Sequence, residues 1–290
     1  MSAPVAHCTV DAAGTVVFEV AGAAGPELVL RRRGGATPAD EVRLPLTGPR
    51  AVLDHATPLA EGRWDIECDG RPVHPGTRDV RALVDRIPGA GPVTVRIPYP
   101  TADGRIALRT WVRAPHAEAG AIHLADGAMT VAGVLYGAGT GDGAAAEARR
   151  CEEGEDAPAP RTHLGAAAEA RRCEEGEDSP APRTHRVPVT GGAGGAFTFT
   201  LPYAPLAEPA VTARRLWDLW LLPAHGAAPV RLSRILDDVW DRRRSHVYPA
   251  YRADGWVAAP CYSGDNDLRV RLEPGDRHPA AMRTEAVRDG

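Results

Sequence analysis

Two acidic motifs near the end of the sequence have residue types and spacing suited to metal-assisted chemistry. In the first, Asp265 and Asp267 flank Asn266, and such a pair of carboxylates can hold Mg²⁺ or Mn²⁺ against the diphosphate of a nucleotide-activated donor. These two aspartates are the candidate catalytic residues. Asp and Asn also favour hairpin turns, because their short side chains form hydrogen bonds with the nearby backbone. The residue types therefore favour a turn over a catalytic site.

The second motif, Asp237, Asp238 and Asp241, has the spacing Asp-Asp-x-x-Asp and contains the candidate metal ligands. On a helix these carboxylates would share one face and could bind Mg²⁺, with the arginines at 242–244 close behind. The motif resembles that of isoprenyl diphosphate synthases, but that family is all-helical and carries a second acidic motif. This sequence meets neither condition. Because acidic clusters are usually solvated, we expect no metal and no other cofactor, with Mg²⁺ or Mn²⁺ needed only by a transferase.

Tryptophans are the candidate binding residues, since an exposed indole can stack on a sugar ring. Trp64 and Trp217 stand in similar sequence surroundings, Arg-Trp-Asp and Leu-Trp-Asp, which is typical of a core position that recurs. Trp220 lies an odd number of positions from Trp217, so on a regular strand it faces the opposite side. If any tryptophan is exposed for binding, we expect it to be Trp220, Trp111 or Trp256.

Four short motifs occur twice and in the same order, which predicts an internal duplication of a domain of roughly one hundred residues. The copies are Arg-apolar-Pro-apolar-Thr-Gly at 43–48 and 186–191, Pro-Leu-Ala-Glu at 58–61 and 205–208, Trp-Asp at 64–65 and 217–218, and Arg-x-Leu-x-Asp at 81–85 and 234–238. The boundary between the two copies is expected near residues 114–117.

Short β segments separated by Gly and Pro run through both halves of the sequence. The pattern predicts strands at 15–20, 27–31, 41–46, 63–68, 80–84, 93–97 and 105–112 in the first half, and at 130–137, 197–201, 256–260 and 268–272 in the second. Regular short strands with few helical windows are typical of a sandwich or barrel. We predict an all-β protein of two tandem immunoglobulin-like β-sandwich domains, residues 1–114 and 115–290.

A second, local repeat interrupts the second half. Residues 143–163 recur at 165–185 and differ only at Ala157 and Ser179. Only one segment of the first half corresponds to the two copies. We therefore expect one copy of this insertion at 143–185 to be a surface excursion. Residues 144–150 are Ala-rich and could form one or two turns of helix.

Composition narrows the classes of function. The 290-residue chain carries a net charge of −4 and contains no lysine, so its basic residues are all arginine. This charge provides no general attraction to nucleic acid. The sequence shows neither a secretory signal nor an apolar run long enough to cross a membrane. We therefore expect a cytoplasmic protein without nucleic-acid partners or membrane insertion. The five cysteines lack the spacing of a zinc site or disulfide framework.

Several strings resemble those of proteins from GC-rich Gram-positive bacteria that are often labelled transferases. They are the string at 43–47 and 186–190, Leu-Trp-Asp-Leu-Trp at 216–220, Arg-Ile-Leu-Asp-Asp-Val at 234–239 and Asp-Asn-Asp-Leu at 265–268. Similar segments accompany glycosyl- or glycerophosphotransferases of cell-surface polymers. The resemblance rests on packing and turn motifs, so it implies a functional setting and supplies no reaction.

Three functions follow from these observations. We favour a non-catalytic accessory or carbohydrate- or protein-binding module, partnered by a transferase or a fragment of a glycan or teichoic-acid-like polymer. This interpretation depends on the resemblance and on the lack of any assembled nucleophile, Cys/His or zinc-protease motif. The alternatives are a metal-dependent glycosyl- or glycerophosphotransferase that uses the aspartates, and a structural spacer. Whether the protein is an enzyme stays open, with the balance against it.

Overall fold

Alternation of apolar and polar residues produces extended strands through the chain. A computed structural model describes residues 3–23, 25–84, 86–89, 91–151 and 184–276. In these residues the protein is all-β, with several sheets, four short 3-10 turns and no α-helix. In the strand Ala196–Pro202, Phe197, Phe199 and Leu201 are buried while the intervening residues are exposed. This alternation is the pattern of a sheet with one face toward a core.

The first ten strands form two sheets around one core. They are β1 Val5–Val10, β2 Val16–Ala21, β3 Glu27–Arg32, β4 Glu41–Pro45, β5 Arg50–Leu53, β6 Gly62–Cys68, β7 Arg71–Pro72, β8 His74–Asp79, β9 Val93–Pro100 and β10 Ile106–Arg113. One sheet has the order β5-β2-β1-β8, and the other has the order β4-β3-β6-β10-β9, with β7 beside β6. Apolar residues from both sheets form a single cluster, the first core.

The remaining described strands surround a second core. They are β11 His116–Ala125, β12 Ala128–Tyr136, β13 Ala145–Arg150, β14 Thr184–Pro188, β15 Thr190–Gly191, β16 Ala196–Pro202, β17 Arg215–Leu222, β18 Val230–Ser233, β19 Tyr251–Ala253, β20 Trp256–Tyr262 and β21 Leu268–Pro274. Their main path is β15-β16-β12-β11-β18-β17-β21-β20-β19, and β13 pairs with both β14 and β17. β18 links the two parts of this sheet, because it pairs with β11 and with β17.

The two groups of strands have the same pairing pattern. β1 lies between antiparallel β2 and parallel β8, as β11 lies between antiparallel β12 and parallel β18. The order β4-β3-β6-β10-β9 has its counterpart in β14-β13-β17-β21-β20. In this correspondence β6 matches β17, the strands that carry Trp64 and Trp217.

Each core contains one fully buried tryptophan from these matching strands. Trp64 and Trp217 are at most 1% exposed, which confirms the prediction that both are core residues. The Trp64 indole N–H also has acceptors inside the first core, the Ala60 carbonyl at 3.1 Å and the Thr110 hydroxyl at 3.2 Å. A buried polar group with a partner avoids the cost of desolvation.

Two predicted elements were wrong. The Ala-rich segment at 144–150 is strand β13, because its backbone pairs on one side with β14 and on the other with β17, and this pairing overrides local helix propensity. The strand predicted at 80–84 is replaced by a 3-10 turn over Arg81–Leu83. The nearby strand is β8, whose sequence has no apolar alternation and which is held by parallel pairing to β1.

Residues 152–183, which make up most of the tandem insertion, lie outside the described residues. The prediction that one copy is a surface excursion therefore falls outside them too. Across the described ranges, the structure contains no helix with the length and apolar character needed to cross a membrane.

Truncation of the first-core tryptophan tests the assignment of this core. We expect Trp64→Ala to lower the free energy of unfolding by about 3–5 kcal/mol, because it removes a large buried side chain and leaves a cavity. The measurement is urea unfolding followed by circular dichroism. Ile87→Ala is the control, since Ile87 is 85% exposed, and we expect it to change stability by less than about 0.5 kcal/mol. Equal effects of the two substitutions would contradict the assignment.

Candidate functional site

The candidate catalytic aspartates lie where the two cores meet. The turn at residues 263–267 joins β20 to β21 and packs against β10 of the first group of strands. Arg109, Trp111 and Arg113 alternate along β10 and therefore lie on one face of it, toward this turn. We call residues 263–267 the junction turn.

Asp265 is held by the first of these arginines. Arg109 is 3% exposed and its guanidinium donates a hydrogen bond to the Asp265 carboxylate. The indole N–H of Trp111 donates to the Asp265 carbonyl at 3.1 Å. Nη2 of Arg63, from β6, donates to the Gly264 carbonyl at 3.1 Å. The first group of strands thus recognises both the side chain and the backbone of the junction turn.

Trp111 is fully buried at this contact. Of the three tryptophans expected to be exposed if any were, Trp111 is therefore excluded. Its position next to Arg109 explains the burial, because the guanidinium lies 4.9 Å from the indole centroid and the indole N–H is used by the junction turn. The alternation of β10 is misleading in the sequence, since both of its faces are buried.

Asp267 is part of a buried ion-pair network. Nη1 of Arg113 donates to Oδ1 of Asp267 at 3.0 Å, and the Ser233 hydroxyl donates to the same oxygen at 2.7 Å. On its other side, Arg113 donates to Glu61 at 3.2 Å. Burial alone would lower the pKa of Arg113, but the charges of Asp267 and Glu61 outweigh burial and raise it. Asp267 is therefore an ion-pair partner rather than a free base.

Asn266 connects the two acidic motifs. It has a left-handed backbone with φ of 62°, a conformation that Asn adopts more readily than most residues. Its side-chain oxygen accepts from the Arg242 amide at 3.0 Å, and its side-chain nitrogen donates to the Val239 carbonyl at 2.9 Å. The prediction of a turn at 265–267 is confirmed. The structure does bring the two motifs together, because the side-chain amide of Asn266 bonds to the backbone of Val239 and Arg242.

The second motif lies in an irregular segment, residues 234–242, which we call the connecting segment. It is not helical, so its carboxylates do not share a helix face. Asp237 pairs with buried Arg242, and Asp241 pairs with Arg243 at 2.6 Å. Burial tends to raise the pKa of Asp241, but the hydrogen bonds from Arg243 lower it by more than burial raises it. The pKa is therefore below its ordinary value, and this carboxylate is charged at neutral pH.

The connecting segment is anchored to the first core. Ile235 is completely buried there, and the Trp240 ring stacks on Tyr99 with centroids 4.4 Å apart. Glu118, from β11, accepts hydrogen bonds from the backbone amides of Ile235 and Leu236 at 2.9 and 3.0 Å. The segment is thus a structural link between the cores.

These aspartates do not fit a divalent cation. Four of them, Asp237, Asp241, Asp265 and Asp267, each form an ion pair with an arginine. Asp238 is half-buried. Within the described ranges, no group of three or more His, Cys, Asp or Glu side chains is arranged to hold a metal. A cation would have to displace these arginines, two of which, Arg109 and Arg113, join the two cores.

The other candidate tryptophans have different surroundings. Two guanidinium groups, of Arg149 and Arg231, each lie 4.9 Å from the half-buried Trp220 ring. A sugar could stack on this ring only where these arginines leave it accessible. Trp256 is half-buried and begins β20. Its neighbour is Tyr251, 41% exposed, with the ring centroids 5.7 Å apart and the planes inclined by 52°.

We call Tyr251 and Trp256 the aromatic pair. The pair lies at the end of the sheet, because β19 is its last strand. Sequence reasoning selected Trp256 and missed Tyr251. The signal was present in Asp254-Gly255, a hairpin dipeptide that pairs Ala253 with Trp256 and so brings Tyr251 beside the indole.

Removing the charge of Asp267 tests its role in the junction. We expect Asp267→Asn to lower the free energy of unfolding by about 3–5 kcal/mol, because the mostly buried Arg113 loses one of its two carboxylate partners. Asp103→Asn is the control, since Asp103 is exposed and its ion pair with Arg105 contributes less than about 1 kcal/mol. Unfolding in urea measures both. A loss no greater than that of the control would show that the junction does not depend on this charge.

Three solved structures that resemble this chain do so at low sequence identity. No protein-family model and no curated protein matches the sequence. Residues 217–571 of S. aureus TarS match 56% of this chain and 39% of their own, at 10% identity and a TM-score of 0.34. A second TarS structure matches 66% and 30%, at 11% identity and the same TM-score of 0.34. A candidate carbohydrate-binding protein from Bacteroides uniformis matches 79% and 93%, at 9% identity and a TM-score of 0.19.

The chain thus spans less than half of the TarS chains that it matches. It is similar to them in structure at a low TM-score, and likenesses at this level carry no argument about function.

Proposed function

We propose that this protein is a non-catalytic accessory or binding protein that works with the transferases of a cell-surface glycan or teichoic-acid-like polymer. The observation that carries the proposal is the aromatic pair, two adjoining and partly exposed rings at the end of a sheet. Its partners would be a polymer fragment or a glycosyl- or glycerophosphotransferase.

The proposal includes two immunoglobulin-like sandwiches, residues 1–114 and 115–290, produced by duplication. The matching strand orders support this, as do Trp64 and Trp217 in corresponding strands. Duplicated scaffolds can diverge at their edges while the cores are retained. The aromatic pair fits such divergence. In the second group of strands β19 pairs with β20 and extends the sheet, whereas the corresponding sheet of the first group, β4-β3-β6-β10-β9, ends at β9.

The geometry of the aromatic pair suits a sugar ring. Aromatic faces bind the apolar faces of sugars, and a tyrosine hydroxyl or indole N–H can bond to the hydroxyls at the ring edge. Tyr251 is held in place by Tyr203, with centroids 6.2 Å apart, and by the turn at Gly127. A Cβ at position 127 would lie 3.0 Å from the tyrosine ring, so a larger residue there would require the ring to shift. A ring that is positioned in advance loses little freedom on binding.

The transferase alternative is less well supported. It needs carboxylates that converge on a cation and a donor, whereas the candidate aspartates form ion pairs with Arg109, Arg113, Arg242 and Arg243. The spacer alternative does not account for a partly exposed aromatic pair, since a spacer has no use for one.

Loss of the aromatic pair tests the binding function. We expect Trp256→Ala and Tyr251→Ala each to weaken binding of neutral polymer-derived oligosaccharides by roughly 3- to 10-fold, because each removes a stacking surface. Isothermal titration calorimetry on the full chain measures the affinity. The control is Val247→Ala, which changes an 82% exposed apolar residue outside the pair.

Either of two results would contradict this function: an intact protein that binds no such oligosaccharide, or binding that both aromatic variants retain in full. A transferase activity that survives Asp265→Ala and Asp267→Ala would also show that these aspartates are not catalytic.

A further inference from the structure

A cleft of about 240 Å³ lies beside the junction turn, and four arginines line it. They are Arg214, Arg243, Arg269 and Arg271. Among the lining residues that the structure describes, none is an aspartate or a glutamate. In a protein with a net charge of −4, this is a local concentration of positive charge.

The strands position these arginines close together. Arg269 and Arg271 are two residues apart on β21 and share a face. Arg271 is opposite Leu216 in the antiparallel pair of β21 and β17, and Arg214 immediately precedes β17. The same three arginines act together on Cys261. Its burial raises the pKa of the thiol, while the charges of Arg271, Arg269 and Arg214 lower it.

A fifth guanidinium, that of Arg63 on β6, lies next to the cleft lining at Gly264. A Cβ placed on Gly264 would lie 3.5 Å from Nη2 of Arg63 and 3.6 Å from Nη1 of Arg243. The two like charges therefore converge at one glycine in the lining of the cleft. Without a side chain, this glycine leaves the space between the guanidinium groups open.

Among the described residues, carboxylates pair with three of the four arginines that line the cleft. Arg269 pairs with Asp218 at 2.6 Å, Arg243 with Asp241 at 2.6 Å, and Arg271 with Glu273 at 3.4 Å. Asp218 is also shared with Arg231. Arg214 is exposed and forms no ion pair within the described residues. Arg63, which donates to a backbone carbonyl, adds a further positive charge.

We propose that this cleft binds the phosphate group of a phosphodiester. A guanidinium presents its N–H donors as a planar fork that fits two phosphate oxygens, and it stays charged at any physiological pH. Each phosphodiester group carries one negative charge and offers two free oxygens to these donors, and the neighbouring links of the same polymer bring further negative charges near the arginines. This assignment rests on the proposed function for its natural ligand, a surface polymer with phosphodiester links; the cleft then takes the phosphate and the aromatic pair takes the sugar.

The test measures phosphate binding by the full chain at low ionic strength. The probes are inorganic pyrophosphate and glycerol-phosphate oligomers, titrated by calorimetry. We expect the double variant Arg214→Ala/Arg271→Ala to bind both probes at least about tenfold more weakly, because two charge-assisted contacts are lost. Arg81→Ala/Arg252→Ala is the matched control, since it also removes two positive charges, both from exposed residues outside the cleft. We expect wild-type affinity for this control.

The outcomes separate this site from the aromatic pair. Arginine-dependent binding of the oligomers, retained in Trp256→Ala, supports the cleft even if neutral oligosaccharides do not bind. Tighter binding of pyrophosphate than of the oligomers would overturn the phosphodiester assignment in favour of a small free ligand. Equal losses in Arg214→Ala/Arg271→Ala and in Arg81→Ala/Arg252→Ala would overturn the site, because binding would then reflect overall charge. The site would also be overturned if the protein bound neither pyrophosphate nor the oligomers.

Discussion

The buried ion pair between Arg113 and Asp267 is the interaction on which the arrangement of the two cores depends. Its donor lies at the end of β10 and its acceptor lies in the junction turn, so each core supplies one charge. Ions of this kind are stable in a protein interior only when every charge has partners. Glu61 and Ser233 supply them here, and Arg231 lies 3.4 Å from the second carboxylate oxygen. Such a network is satisfied in one relative position of the two groups of strands.

This constraint explains why residues suited to chemistry are used for structure. Each aspartate of the junction turn has an arginine partner, and Asn266 between them is bonded to the connecting segment. The two surfaces that we propose for ligands lie outside the ion pairs that join the cores. They are the aromatic pair and the arginine-lined cleft. An accessory role for the protein is consistent with this division, since binding needs exposed surface and does not need an activated nucleophile.

Arginine is the only strongly basic residue in the sequence. In the structure, buried arginines connect separate loops through hydrogen bonds. Arg215 is buried and donates to the carbonyls of Pro209 and Ala210 at 2.7 and 2.6 Å. Arg242, also buried, donates to the Arg234 carbonyl at 2.8 Å and to His246 at 2.7 Å. A guanidinium has five donors in a rigid plane, so one side chain can bond several loops. Lysine could not replace it at these positions.

The sequence by itself determined the all-β class, the core positions of Trp64 and Trp217, and the turn at 265–267. These depend on local alternation and on turn chemistry, which neighbouring residues carry. Only the tertiary structure decided that 144–150 is a strand, that Trp111 is buried, and that Tyr251 lies beside Trp256. The same holds for the candidate site, because an aspartate acts as ligand, base or ion-pair partner according to which distant arginine reaches it. Arg109 and Asp265 are far apart in the chain, and only the packing of one core against the other brings them into contact.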